Sequence, residues 1–343
     1  MNMELAATGS TEIEPFLKMA DGGSERNRQH PNNLQGLLRL AVEAGSVGDT
    51  APELHPMPEE RRQWLQDALS DVFNGHLDEV KQIKDCLQIL SDTSEDDLNE
   101  DGRRSNALDT VADLCENLDN AGDFCKLGGM QIVVQKFLEC PDPELRWRAA
   151  HLIGTCSQNN PFVQEHVLNL GTMSKLLDLL NSDSNDMVRI KALFAVSCLV
   201  REQAAGLLEF VDRDGFSVLM RAMQSGIEKL KVKAAFLLQN LLISNPEHKD
   251  VLCSMGMVQQ LVALIQTEHD SFHEHVLGAL CSLVTDFPRG VRQCQELELG
   301  LEDILLERSQ MLKDQEEFQE ELEFCEHLLQ TCFSQPEEHG MDR

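Results

Sequence analysis

Four nine-residue stretches, AAHLIGTCS (149–157), ALFAVSCLV (192–200), AAFLLQNLL (234–242) and VLGALCSLV (276–284), align without gaps, and VADLCENLD (111–119) fits the same frame. Each carries apolar residues at helical spacing. Self-similarity with a period of about 40 to 47 residues marks stacked helical units, none of which buries its apolar face alone.

Working outward, Gly129, Gly171, Gly215, Gly256 and Gly300 each stand just before a helical apolar segment, spaced by 42, 44, 41 and 44 residues. A left-handed residue between two helices is cheap only for glycine, so these positions predict the turns. Pro161, Pro246 and Pro288 each fall six residues after one aligned column, at Thr155, Asn240 and Ser282. Proline there stops one helix and opens the next. Each unit thus reads helix, glycine, helix, loop, long helix, proline turn. The fold class is all-α, an α–α solenoid.

The flanks divide the chain further. Residues 1–32 lack apolar period and predict disorder, and NLQGLLRLAVEAG (33–45) adds a short amphipathic segment with Leu34, Leu37 and Leu38 on one face. The prolines at 52, 56 and 58 make a linker that closes an N-terminal tail of residues 1–57. Residues 58–107 read as a capping helical pair (58–74 and 77–90) followed by the acidic loop SDTSEDDLNEDGRRS (91–105). Repeats span 108–300, four full units after a leading half. Helical segments with charged outer positions over 301–333 form the other cap, and 334–343 a flexible tail.

Composition narrows the function classes. Fifty-nine acidic against 29 basic side chains leave a net charge of −30, which repels nucleic acid and anionic membrane surfaces and points to protein partners. Eleven cysteines without a CxxC or tight cluster read as reduced, buried thiols, placing the chain in the cytoplasm or also the nucleus. No basic leader with an apolar run opens the sequence and no stretch of eighteen apolar residues occurs, so no membrane association is expected. There is no GxxxxGK[ST], GxGxxG or GxSxG. HEHVL (273–277) fails as a zinc helix because position 277 is leucine. A His269–His273 pair reads as a polar inter-helix loop. No enzymatic activity, metal or cofactor is expected.

The aligned third helices generate ladders. One runs Asn117, Thr155, Cys198, Asn240, Ser282; one turn earlier stand Asp113, His151, Phe194, Phe236, Gly278. A further turn back are Thr110, Arg148, Lys191, Lys233, His275, with Arg146, Arg189 and Lys231 beside them. These stems either cover apolar surface and pair with neighbouring acids or, as a set, meet an acidic partner.

Glycine before a helix, a long third helix with small residues at its start, and leucine columns ending in Gln239-Asn240-Leu241 resemble the armadillo repeat, a right-handed superhelix whose third helices line the concave side. The ladders lack the repeated Trp and Asn that nuclear-import armadillo proteins use to hold a basic peptide. At finer grain NLQGLLRLAVEAG, ERRQWLQDAL, LCENLDNAGDFCKLGGM, LRWRAAHLIGTCSQN, KVKAAFLLQNLL, CSMGMVQQLVALI and HEHVLGALCSLVTDFP are similar to the armadillo-type nucleotide-exchange factors of heat-shock protein 70 chaperones. That resemblance spans nearly the whole chain from residue 33.

The resemblance implies a co-chaperone that embraces one lobe of the heat-shock protein 70 ATPase domain, promotes ADP and client release, and acts as a monomer. Expected contacts are Arg148, Lys191, Lys233, Phe236 and Asn240 on the ladders, with Asn117, Asn120 and Ala121 in the LCENLDNAGDF turn. Ala121 is expected to permit close approach, so that Ala121→Arg blocks docking with the fold intact. Leu34, Leu37 and Leu38 fall in the segment that the resemblance assigns to client release. The alternative is a generic armadillo scaffold for an unrelated acidic partner.

Overall fold

The computed structural model describes Gln63 and residues 77–92, 100–267 and 269–334. The chain divides into two units, Met1–Gln66 and Asp67–Arg343. In the first, only Gln63 is described, and it is helical. Leu34, Leu37 and Leu38, the helix expected to start at Pro58, the acidic residues 93–99 and the tail from 335 lie outside the described residues.

The described residues of the second unit form helices joined by short turns, with no strand. It opens with α1 (77–91) and α2 (Glu100–Leu114). Triplets follow: α3 (Leu118–Lys126), α4 (Gly129–Ile132, continuing through a π-helical turn Val133–Phe137) and α5 (Pro143–Ser157) make the first. The second is α6 (Pro161–Asn169), α7 (Thr172–Ser182) and α8 (Asp186–Val200); the third is α9 (Ala204–Asp212), α10 (Gly215–Met223) and α11 (Glu228–Ser244). A 3-10 turn at Pro246–His248 leads into α12 (Lys249–Ser254), α13 (Met257–Ile265) and α14 (Phe272–Val284). The last triplet is α15 (Pro288–Cys294), α16 (Leu301–Leu312) and α17 (Gln319–Phe333). The long helices α2, α5, α8, α11, α14 and α17 stack one on the next, burying one continuous apolar core.

Punctuation explains the boundaries. Pro161, Pro246 and Pro288 each occupy the first turn of the element they open, where the missing N–H has no partner to lose. Asp142 and Asn185 cap α5 and α8, accepting from the N–H groups of Glu144 and of Met187 and Val188. The expected glycine turns hold at Gly171, Gly256 and Gly300 (φ 68°, 75° and 58°). In the first and third triplets the left-handed residue is instead one earlier, Gly128 (φ 79°) and Asp214 (φ 58°). The true turn positions are therefore spaced by 43, 43, 42 and 44 residues, more evenly than the glycines. Gly129 and Gly215 have a different reason to be glycine. A Cβ there would fall 2.2 Å from the Phe124 ring and 2.4 Å from the Phe210 ring, so each lets the preceding helix's phenylalanine lie flat on the next helix.

Two sequence boundaries move. Residues 100–105, read as loop, belong to α2, whose buried Leu108 and Val111 anchor a helix that begins with acids, as the positive end of a helix dipole favours. The segment read as a simple cap is a fifth triplet in the same order, with Gly300 as its turn. Its period is hidden because residues between α16 and α17 include a 3-10 turn, Glu316–Phe318, where the second triplet spends only three residues between α7 and α8.

The last two triplets are joined through a buried polar cluster. Arg308 Nη1 donates to Glu321 Oε1 (2.8 Å) and to His273 Nδ1 (2.8 Å), while Nη2 donates to the Ile265 carbonyl (2.7 Å). Arginine has no acceptor, so His273 accepts at Nδ1 and its Nε2–H faces Thr267 Oγ1 (3.1 Å). The expected polar loop around His269 and His273 is thus a buried clamp, with His269 against Glu321 Oε2 at 2.9 Å.

Burial and the adjacent Arg308 charge hold the fully buried His273 below the ordinary imidazole range, with Asp270 and Glu321 opposing them and His269 adding to them. The unfolded chain therefore takes up the proton first, so the stability this group contributes is present above about pH 6.5 and declines as pH falls below it. Thermal melts between neutral and mildly acidic pH should show a falling midpoint that flattens in His273→Gln. An unchanged slope in that variant would refute the assignment.

Candidate functional site

The face made by the third helices holds the ladders read from sequence, but it is not uniform. Helices α5 and α8 pack along their lengths, as do α11 and α14, whereas α8 and α11 touch sparsely. Between them a cleft of about 480 Å³ opens, walled by Phe194, Cys198 and Arg201 on one side and by Lys233, Phe236 and Leu237 on the other. Gln158, Gln164 and Glu202 line it as well.

Aromatic rungs edge this cleft. Gly154 leaves room for the Phe194 ring to lie across α5, since a Cβ there would stand 2.5 Å from it, and His151 packs on that ring at 5.8 Å. Phe236 is 46% exposed, an unusual state for a phenylalanine in a ladder position. Arg201 lies 5.9 Å from its centroid and His275 6.4 Å on the other side. Asn240, one turn on, turns its amide back to the Phe236 carbonyl (2.8 Å) and lines a second cleft with Arg201 and Glu202.

The basic stripe separates into two groups. Arg146 forks onto Asp183 (2.8 and 3.1 Å) and onto the carbonyls of Cys140 and Pro141. Arg189 donates to the Leu180 carbonyl, and Lys231 pairs with Glu228 and Asp270. Arg146 and Lys231 thereby reach the loop before the next long helix, and Arg189 the second helix of its own triplet. Arg148 is also engaged, with Asp109 at 2.8 Å and Glu144 at 2.7 Å, its guanidinium 4.1 Å from the Trp147 centroid. Lys191, Lys233 and Arg201 make no ion pair among the described residues. Burial and the neighbouring Lys233 charge push the Lys191 ammonium below its ordinary range. Cations gathered without direct ion pairs among the described residues, on a chain of net charge −30, form a site that an acidic surface would complete.

The other expected contacts part from this cluster. Asn117 is not on α2; it caps α3, accepting from the Asp119 N–H. Asn120 is 1% exposed and donates to Glu79 Oε2 (2.8 Å) and the Leu114 carbonyl (2.9 Å), joining α1 to the first triplet. Ala121 is fully buried in the core. Asn120 and Ala121 therefore present no side chain to a partner, and Ala121→Arg would force a charge into packed interior rather than block a surface. Their smallness and polarity serve internal packing, which sequence spacing does not distinguish from close approach to a partner. Sequence reasoning also passed over Arg201, which lies one residue beyond α8 and so outside the aligned columns.

Comparisons with known proteins agree with this architecture. Residues 34–124 match the family described as nucleotide exchange factor Fes1, and residues 120–243 and 208–318 match the SIL1/FES1/HPBP1 C-terminal domain. The chain is 62% identical over 323 residues to Hsp70-binding protein 1 of Mus musculus, covering 92% of this chain and 90% of that one. The Homo sapiens protein of that name is 62% identical over 319 residues, with 91% and 89% covered. Hsp70 nucleotide exchange factor FES1 of Mycosarcoma maydis is 35% identical over 147 residues, 43% of this chain and 37% of that one. Among solved structures, a designed armadillo repeat protein superposes with a TM-score of 0.58 at 16% identity, covering 72% of this chain and 98% of that chain, which establishes the fold as an armadillo-type solenoid. With the triplet order, the long-helix ladder and these matches in agreement, the chain belongs to the Fes1/SIL1/HPBP1 family of nucleotide exchange factors.

Proposed function

We propose that this chain is a co-chaperone that binds an Hsp70 ATPase domain with its long-helix face and accelerates release of ADP, acting as a cytoplasmic monomer and carrying out no chemistry of its own. Its relatives' names, at 62% identity over nearly the full length, support the partner. The observation that carries the site is the cleft between α8 and α11, where Lys233 and Arg201 flank the exposed Phe236 and neither makes an ion pair among the described residues, with Lys191 nearby over the Phe194 ring. A folded acidic surface with one apolar contact would complete it.

Mechanistically, a rigid face that fits only one arrangement of the ATPase lobes shifts the population toward that arrangement. Nucleotide then binds more weakly by the same coupling factor, and ATP rebinding ejects the exchange factor reciprocally. Lys191 and Lys233 make no ion pair among the described residues and Phe236 is 46% exposed, so their substitution reports docking more than folding. The Lys191→Glu/Lys233→Glu double variant is expected to lower the acceleration of fluorescent ADP-analogue release from Hsp70 by about tenfold or more at subsaturating concentration, with Phe236→Ala giving a comparable loss. Rising ionic strength should weaken the wild type and strengthen the double variant slightly, because screening then relieves repulsion. Full acceleration by the double variant, with unchanged circular dichroism, would remove this face from the interface. No acceleration by the wild type would leave only a protein-binding scaffold.

A further inference from the structure

Far from the α8–α11 cleft, two thiols from different helices meet at the wall of a pocket in the fifth triplet. Cys294 ends α15 and Cys332 lies in the last turn of α17. Both residues line one pocket from these two helices, close enough for each thiol to perturb the other's ionisation. Gln295 Nε2 donates to the Cys332 carbonyl at 2.5 Å and holds the two segments in register. The interaction between the two thiols pushes Cys294 up and pulls Cys332 down from the usual cysteine range, burial adding to the first and opposing the second. Cys332 is therefore the nucleophile of the pair.

Both cysteines line a pocket of about 330 Å³ that opens beside the fully exposed Leu297. Glu296, Glu302 and Asp303 line it too, so it admits a small neutral reagent more readily than an anionic one. Cys115 likewise perturbs Cys156, but the two lie in the stacked interior where the end of α2 meets α5, with Cys156 wholly enclosed. They serve as an internal comparison.

We propose that Cys294 and Cys332 form an oxidation site for small neutral hydroperoxides, at which a disulfide joins α15 to α17. The Cys332 thiolate attacks one oxygen of hydrogen peroxide, the O–O bond breaks, and the departing hydroxide is protonated to water, leaving a sulfenic acid. Cys294 gives up its proton and attacks that sulfur; the S–O bond breaks, a second water leaves and the S–S bond closes. The two thiols lose two electrons and two protons, and one peroxide becomes two waters. The link ties down the final helix of the stack.

The test treats the reduced, folded full chain with hydrogen peroxide, blocks remaining thiols and maps peptides without reduction. The Cys294–Cys332 link should form first, ahead of any Cys115–Cys156 link, and about tenfold or more faster with peroxide than with oxidised glutathione at equal concentration. Cys294→Ser should leave a sulfenic acid on Cys332 that dimedone labels. In the oxidised chain the amides of α17 should exchange about tenfold or more slowly. Should the substituted chain fail to fold, the wild-type map still decides. Absence of the link in folded protein, prior formation of the Cys115–Cys156 link, or a glutathione rate equal to the peroxide rate would overturn the proposal.

Discussion

Replacing Arg308 with alanine is expected to destabilise the protein by about 3–5 kcal/mol, the largest effect of any polar substitution considered for this chain. Arg308 is 7% exposed, and its partner Glu321 is wholly buried. Truncation leaves that carboxylate in the interior with only His269 beside it, and also strands the Ile265 carbonyl and His273 Nδ1. The cost is thus mostly that of an uncompensated buried charge, rather than the net value of the pair. Two comparisons separate these terms. Replacing both partners with apolar residues, Arg308→Met with Glu321→Leu, should recover most of the loss. Arg213→Ala, which breaks the exposed Arg213–Glu209 pair one helical turn apart, should cost under about 0.5 kcal/mol. Urea denaturation followed by circular dichroism measures all three. Because each triplet contacts only its neighbours, hydrogen exchange in the Arg308→Ala chain should rise first in α16 and α17. A loss below about 1 kcal/mol for Arg308→Ala would show that Glu321 finds another partner.

The second large effect comes from a single methyl group. Glycine inside a helix normally costs about 0.5–1 kcal/mol relative to alanine, so Gly→Ala in α9 would stabilise on propensity alone. At Gly206, however, a Cβ would stand 1.9 Å from the Leu199 carbonyl oxygen, a backbone atom of α8 that has no rotamer to move. The same place in the fifth triplet is also glycine, Gly290, with its Cβ position 2.9 Å from the Leu283 carbonyl. Gly206→Ala must separate α9 from α8 and is expected to destabilise by about 2–3 kcal/mol. Gly122 in α3 is helical too, but nothing lies within 4 Å of its Cβ position, and Gly122→Ala should be neutral or stabilising by up to about 1 kcal/mol. The opposite signs are the result to look for in chemical denaturation. Equal effects at both sites would mean that helix propensity, not close approach, governs this position.

These two cases show which parts of the protein its sequence discloses. The order of helices, the proline starts at 161, 246 and 288, and the ladder of long helices are all legible, because each is a local pattern repeated at one period. Five copies reinforce one another, so a single substitution does not hide the frame. Where the period is broken the reading falters: the extra turn before α17 concealed a fifth triplet, and the glycines at 129 and 215 were assigned turns that Gly128 and Asp214 make.

Side-chain partners are a different matter. Arg146, Arg148, Lys191 and Lys233 look alike along the chain, yet Asp183, Asp109 and Glu144 pair with the first two, while the last two make no ion pair among the described residues. Asn120 and Ala121 looked like a surface turn, and the approach of α1 and α2 buried them. Cys294 and Cys332 meet only because α17 packs back on α15. Periodicity, proline and helix caps depend on neighbours within a few residues, and so the sequence by itself determined the solenoid and its family resemblance. Burial, ion pairing and the opening of a cleft depend on contacts between residues about forty positions apart, and only the stacked tertiary structure decided those.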